Sequence, residues 1–93
     1  MSKIDYWKGE RRRARTALRN YIVANVEKLE KEYAIIVPEN IKNFSGEELA
    51  KWIKKIEYKI LQNKKSSDLY DLLIDYHCAC TNVATAENGI YSL

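Results

Sequence analysis

Residues 44–49 read FSGEEL, and this short stretch contains the clearest helix start in the chain. Ser45 is a preferred helix N-cap, and Glu48 follows three positions later, which is the spacing of a capping box. The apolar residues at the two ends of the stretch have the spacing of a hydrophobic staple. Apolar residues recur at helical spacing beyond this point, so the sequence predicts a helix over residues 46–62.

A long first helix is predicted upstream of this start. Asp5 is a suitable N-cap, and apolar residues recur at steps of three and four as far as Tyr33, which predicts a helix over about residues 5–33. Asn25 and Val26 are expected on its apolar face. At about 1.5 Å per residue the helix spans roughly 40 Å, so we expect part of it to project beyond a compact bundle or to pair with another chain.

A third helix is predicted over residues 68–87, where apolar residues again follow one helical face and Asn88-Gly89 supplies a stop. Residues 88–93 are expected to form a tail that folds back onto the bundle. The apolar run before Pro38 is expected to be extended and tucked against the core, because proline disfavours a helical conformation in the residue before it.

The composition is that of one small globular domain. The chain has 93 residues, of which 46% are hydrophobic and 31% charged, with only three glycines and one proline to make turns. Scarce turn residues favour a few long helices over many short strands. We therefore predict a single all-α domain over residues 1–93, a three-helix bundle with a long N-terminal helix.

The sequence predicts a cytoplasmic protein without a membrane segment. Its start has no apolar run typical of a signal peptide, and no stretch reaches transmembrane length. Cys78 and Cys80 are too few for a disulfide scaffold and too close in sequence to bridge readily. We expect a monomer, or a homodimer formed through the first helix.

The segment HCAC, residues 77–80, suggests metal binding, but its spacing argues against it. On a helix the two cysteines point in nearly opposite directions, and a zinc site needs three or four protein ligands. No glycine-rich loop or oxyanion donor is evident near a Cys–His nucleophile. We predict that Cys80 is a core residue with His77 at the core's edge, that no metal or cofactor is bound, and that the protein is not an enzyme.

Positive charge is concentrated at one end of the chain. Residues 1–20 contain seven basic and two acidic residues, whereas the remaining residues contain nine basic and eleven acidic ones. Successive guanidinium groups on one helical face can follow a row of carboxylates or phosphates, although a solvated helix face is the alternative interpretation. The residues that step by four, three and four along the first helix form the basic stripe: Lys8, Arg12, Arg15 and Arg19. Arg11 is at the border of the basic stripe, and Arg13 points away from it.

A second basic surface is predicted on the helix over residues 46–62. Lys51, Lys54 and Lys55 surround Tyr58, which points away from the core face. An exposed aromatic ring among lysines can anchor a protein contact or stack on a base, although single exposed aromatics are also common on ordinary surfaces. The leading candidates for contact residues are Arg12, Arg15 and Arg19, followed by Lys8, Lys54, Lys55 and Tyr58.

Three kinds of function fit this pattern. The first is a non-enzymatic module that binds a partner protein with an acidic or nucleic-acid-binding surface and blocks or recruits it. The second is direct, largely non-sequence-specific binding of DNA or RNA through the basic stripe, with an affinity that falls steeply with salt. The third is a small immunity or assembly protein. A net charge of only +3 is low for a dedicated nucleic-acid-binding protein, so a protein partner is the preferred hypothesis.

The chain is rich in lysine and isoleucine and has no enzymatic motif, and in this it resembles the small helical accessory proteins of phages and mobile elements. That resemblance implies an inhibitor that occupies a phosphate- or nucleic-acid-binding groove on a partner. The stretch VPENIKNFSGEELAKWIKKI, residues 37–56, also looks like a segment of phage DNA-terminal proteins, in which a basic helical arm precedes such a passage. No residue's role is carried over from either resemblance.

Overall fold

The computed structural model describes residues 3–62 and 68–88, which fold into α-helices joined by short connections. No strand occurs among these residues, so the all-α prediction is confirmed for them. None of the helices in these ranges is long and apolar enough to span a bilayer. The helices are α1 (Lys3–Ala24), α2 (Val26–Tyr33), α3 (Gly46–Gln62) and α4 (Asp68–Glu87), and a 3-10 turn, Ile41–Asn43, precedes α3.

The predicted first helix is divided at Asn25, so the described residues form four α-helices where three were expected. Asn25 has φ −129° and ψ 34°, outside the helical region, and its backbone N–H donates to the carbonyl oxygen of Ile22 at 3.2 Å. Its side-chain Nδ2 donates to the carbonyl oxygen of Tyr21 at 2.8 Å. The side chain thus satisfies a carbonyl at the end of α1 that would otherwise lack a helical donor.

The division at Asn25 changes which residues of α2 face the core. A continuous helix would place Val26 one turn after Ile22, on the same face. In the structure Ile22 is fully buried but Val26 is 39% exposed, so the prediction for Val26 is wrong. Leu29 and Tyr33 remain in the core.

The start of α3 has the hydrogen bonds that its sequence predicts. The N–H of Glu48 donates to Oγ of Ser45, and the N–H of Ser45 donates to Oε1 of Glu48, both at 3.1 Å. This reciprocal pair is a capping box and satisfies two N–H groups at the helix start. α3 ends at Gln62 and α4 covers residues 68–87, as expected from the sequence, whereas residues 89–93 of the predicted tail lie outside the described residues.

The segment after α2 is only partly buried. Ala34 has φ 56°, a left-handed conformation that costs an alanine roughly 1–2 kcal/mol, and the chain reverses there. Nζ of Lys59 donates to the carbonyl oxygen of Ala34 at 2.6 Å and so ties α3 to the end of α2. Ile35 is fully buried but Ile36 is 78% exposed, so the apolar run before Pro38 is not tucked in as a whole.

α3 runs in the same direction as α1 and α2, and α4 returns beside them. The start of α3 lies against the middle of α1, and Lys59 in its last turn reaches the end of α2. His77 of α4 lies beside Glu57, whereas Cys80, further along α4, lies with Gly46 at the start of α3. The most extensive helix contact is that between α1 and α4.

All four helices contribute to one hydrophobic core. None of its members among the described residues is polar or charged apart from the tyrosine hydroxyls, so the basic side chains lie at the surface or at the edge of the core. The largest fully buried side chains are Leu18, Ile22, Leu29, Ile35, Leu49, Ile53, Ile60, Leu69, Leu73 and Val83.

Replacing Asn25 tests the cause of the division between α1 and α2. We expect Asn25→Ala to lower the free energy of unfolding by about 1 kcal/mol, because the carbonyl of Tyr21 loses its side-chain donor. Asn20→Ala, at an exposed position of α1, is the matched control and should stay within about 0.5 kcal/mol of the wild type. Urea denaturation followed by circular dichroism measures both, and equal stabilities of the two variants would contradict this account.

Candidate functional site

A cleft opens where α1, the first half of α3 and the middle of α4 meet. Its volume is about 500 Å³, within the range typical of ligand sites. Basic side chains surround it, and apolar and aromatic side chains form its floor. We refer to it as the basic cleft, and its lining residues are Arg11, Arg15, Gly46, Glu47, Ala50, Lys51, Ile53, Lys54, Tyr76, His77 and Cys80.

Arg15 of the basic stripe reaches into this cleft and lies against the start of α3. A Cβ atom added to Gly46 would be 2.6 Å from Cζ of Arg15 and 2.8 Å from each terminal nitrogen. Glycine at position 46 therefore leaves the space that the guanidinium occupies. The first turn of a helix is the positive end of its dipole, and the carboxylates of Glu47 and Glu48 in that turn offset the repulsion.

Arg19 of the basic stripe is used within the molecule. Its terminal nitrogen Nη2 donates to the carbonyl oxygen of Phe44 at 2.8 Å, immediately before the N-cap of α3. Its Nε is buried and has no hydrogen-bond partner among the described residues. Arg19 therefore ties α1 to the start of α3, and less of its guanidinium is free for a ligand than the sequence pattern implies.

The remaining arginines of α1 lie on two sides of the helix. Lys8 and Arg12 are exposed, and Arg11, which the sequence placed at the border of the stripe, lines the basic cleft. Nε of Arg13 donates to Oε2 of Glu10 at 3.2 Å, and the hydrogen bond and charge of Glu10 raise the pKa of Arg13. Arg13 thus has a carboxylate partner of its own, away from the cleft lining.

The second predicted basic surface is divided between two places. Lys54 and Lys51 line the basic cleft, where Nζ of Lys51 lies 3.8 Å from Oε1 of Glu47 in an exposed pair of small energetic value. Lys55 is exposed and does not line the cleft. Tyr58 is 53% exposed, as its helical position predicts, but lines a separate, more open groove beside α2. The structure therefore brings Lys54, but not Tyr58, together with the basic stripe.

Tyr76 and Cys80 of α4 form part of the floor of the cleft. Burial, together with a hydrogen bond to Cys80, raises the pKa of Tyr76 to about 12, although the charges of Arg15 and Arg11 oppose the shift. The hydroxyl is therefore protonated at neutral pH and can act as a hydrogen-bond donor there.

His77 lies at the side of the cleft where α4 meets α3. Its Nε2 is 2.7 Å from Oε2 of Glu57, which makes an ion pair when the imidazole is protonated. This oxygen is buried. This contact joins α4 to α3 beside the cleft.

The histidine and cysteines of HCAC do not converge in the way a metal site requires. Cys80 and His77 line the cleft, whereas Cys78 is exposed elsewhere on α4, and both thiols are free. Within residues 3–62 and 68–88 no group of three or more His, Cys, Asp or Glu side chains is placed to hold a metal ion. Cys80 contacts the core as predicted but is only half-buried, because its other side faces the cleft.

Several cleft residues were assigned other roles from the sequence. The sequence places His77 at the core's edge and Arg11 at the border of the stripe, and it gives Tyr76 no role in a site. The sequence feature that could have indicated a shared site is the spacing of Arg11 and Arg15, which are four residues apart and therefore lie on one helical face. Contacts that join α1, α3 and α4 depend on helix packing, which no local pattern reports.

Comparison of the chain with protein-family models, with curated proteins and with solved structures gives no significant match. The function is therefore inferred from the geometry of the basic cleft and its surroundings.

Gly46→Ala tests whether glycine positions Arg15. We expect the guanidinium of Arg15 to leave α3, because the added Cβ would occupy its place and the arginine side chain is flexible enough to move. The free energy of unfolding should not fall, since alanine has a helix propensity up to about 1 kcal/mol better than glycine. The Nε–Hε resonance of Arg15 and urea denaturation report the two effects.

Gly9→Ala is the matched control for this variant, because nothing lies within 4 Å of a Cβ added at Gly9. It should change helix propensity in the same direction without shifting the Arg15 resonance. A loss of more than about 1 kcal/mol in Gly46→Ala would show instead that Arg15 is held too firmly to move.

Ionisation of Tyr76 should destabilise the folded protein at alkaline pH. The hydroxyl ionises near pH 10 in the unfolded chain but near pH 12 in the folded protein, so folding favours the protonated form. The associated stability is complete below about pH 10 and is lost as the pH rises towards about 12. Urea denaturation across this range should show a weaker pH dependence for Tyr76→Phe than for the wild type. Tyr58→Phe, at an exposed ring, should behave as the wild type does.

Proposed function

We propose that this protein is a non-enzymatic binding module that docks an acidic surface of a partner protein against the basic cleft and the exposed part of the basic stripe. The observation that carries the proposal is the meeting of arginines from α1 with lysines from α3 around one concave site. Charge from two separate segments of the chain is thereby added on a single face. Such a face attracts acidic partners and speeds their association.

Direct nucleic-acid binding is the second candidate, and the arrangement of the basic stripe supports it less well. Arg19 is bonded to the backbone of Phe44, and Arg15 lies in the cleft against Gly46, so only Lys8 and Arg12 of the stripe are freely exposed. A protein that binds nucleic acid through phosphates needs several such contacts. Tyr76 is only 5% exposed, so its ring offers no stacking platform for a base.

A phosphate-binding groove on a partner is a poor match for this face. Such a groove is itself basic, because it neutralises phosphates, and it would repel the arginines and lysines around the cleft. We therefore propose an acidic protein surface as the target. An inhibitor, an immunity protein and an assembly protein would all act through this same kind of contact.

The cellular setting is part of the proposal. Two free cysteines are typical of a protein in a reducing compartment, which supports a cytoplasmic location. The apolar face of α1 is covered by α4 and the rest of the core, with Leu18 and Ile22 at most 1% exposed. Because that face is already occupied, we propose a monomer in preference to a dimer formed through the first helix.

A binding titration separates the two candidate functions. The probes are a fluorescent poly-glutamate peptide and random-sequence DNA and RNA oligonucleotides, at about 50 and about 200 mM salt. We expect the poly-glutamate peptide to bind more tightly than either nucleic acid. The double variant Lys8→Ala/Arg12→Ala should weaken peptide binding about tenfold, or 1.4 kcal/mol.

The matched control is Lys28→Ala/Lys31→Ala, which removes the same charge from exposed positions of α2. It should change the affinity much less than the α1 variant does. Tighter binding of DNA or RNA, with a steep salt dependence that the α1 variant reduces, would replace the proposal with direct nucleic-acid binding. Equal effects of the two double variants, or no binding of any probe, would overturn it.

A further inference from the structure

The basic cleft differs from the basic stripe in having an apolar floor. Ala50, Ile53 and Tyr76 lie between the basic walls, and its volume of about 500 Å³ admits a few side chains but not a second helix, which is about 10–12 Å across. A site for charge alone needs no such floor, since exposed arginines and lysines attract carboxylates without it. The floor offers burial to an apolar side chain next to the charge.

Three of the cations on the walls of the cleft have no ion-pair partner among the described residues. Arg11, Arg15 and Lys54 form no ion pair or hydrogen bond with any residue of the described ranges, whereas Lys51 lies near Glu47 and Arg13 is paired with Glu10. Arg11 and Arg15 are half-buried, which weakens the screening of their charge by solvent. A bound carboxylate would receive charge-assisted hydrogen bonds from guanidinium groups four residues apart on α1.

We propose that the basic cleft binds a linear segment of the partner in which an aspartate or glutamate stands next to a large apolar residue. The carboxylate lies between Arg11 and Arg15, and the apolar side chain packs on Ala50 and Cys80, the half-buried small residues of the cleft. This inference rests on the proposed function and specifies which chemical feature of an acidic partner the protein recognises. Glu47 at the rim repels a second negative charge nearby, so a single carboxylate fits better than a doubly charged phosphate.

Cys80 provides a direct report on occupancy of the cleft, because it lines the cleft while Cys78 does not. In the variant Cys78→Ser the remaining thiol lies at the proposed contact. In Cys80→Ser the remaining thiol is exposed and outside it. The two variants therefore form a matched pair for measuring protection by a bound peptide.

The experiment uses three labelled peptides of equal length on the full chain. The first contains a glutamate–phenylalanine pair in a Gly/Ser background, the second has glutamine for glutamate, and the third has alanine for phenylalanine. We expect the first to bind about tenfold more tightly than either of the others, because each loses one of the two contacts. At saturation it should slow the reaction of iodoacetamide with Cys80 in Cys78→Ser, and leave the reaction of Cys78 in Cys80→Ser unchanged.

Two variants test the cleft itself without relying on one substitution. Ala50→Phe fills the cleft without changing charge, and Gly46→Ala moves Arg15 without removing it, so both should weaken binding of the glutamate–phenylalanine peptide. Gly9→Ala should leave the binding of this peptide unchanged. Circular dichroism and urea denaturation establish that each variant is folded. Equal binding of the three peptides, or no protection of Cys80, would overturn the inference.

Failure of this inference and failure of the proposed function give different results. If poly-glutamate binding depends on Lys8 and Arg12 but Ala50→Phe has no effect, the acidic-surface function stands and the cleft is not its recognition site. If the glutamate–phenylalanine peptide protects Cys80 while poly-glutamate fails to bind, the cleft recognises its segment and the wider basic surface does not dock an acidic protein.

Discussion

Arg19 donates a hydrogen bond to the carbonyl oxygen of Phe44, and this contact holds the start of α3 against the middle of α1. The capping box of Ser45 and Glu48 begins the helix at the very next residues. Together the two features determine where the first turn of α3 faces α1, and therefore where the basic cleft opens. The guanidinium of Arg15 lies in the resulting space against Gly46, which has no side chain to exclude it.

The basic residues of α1 consequently have different roles although they repeat at helical spacing along one face. Arg19 is bonded within the molecule, Arg15 is half-buried at the cleft, and Arg12 is exposed to solvent. The charge of a half-buried guanidinium is less screened than that of an exposed one, so it interacts more strongly with a ligand that reaches it. In the proposed function, recognition therefore depends on the cleft, while the exposed residues mainly contribute long-range attraction.

The extent to which the sequence predicted the structure differs between elements for identifiable reasons. The range of α3 was predictable because its N-cap, its capping-box glutamate and its apolar period all agree. The division at Asn25 was not predictable, because the apolar spacing through Asn25 is equally compatible with a continuous helix. The bond from Asn25 to Tyr21 is available only when the backbone leaves the helix there.

Local sequence by itself determined the helical character of the chain and the start of α3, because both depend on neighbours within one or two helical turns. It also determined the concentration of positive charge in the first twenty residues. Only the tertiary structure decided which charged residues meet. Arg11 and Arg15 lie beside Lys54 and Tyr76 because α1, α3 and α4 share one core, although these helices are far apart in sequence. Helix periodicity says which face of each helix is buried, but the neighbour of that face depends on how the buried side chains of all the helices fit together.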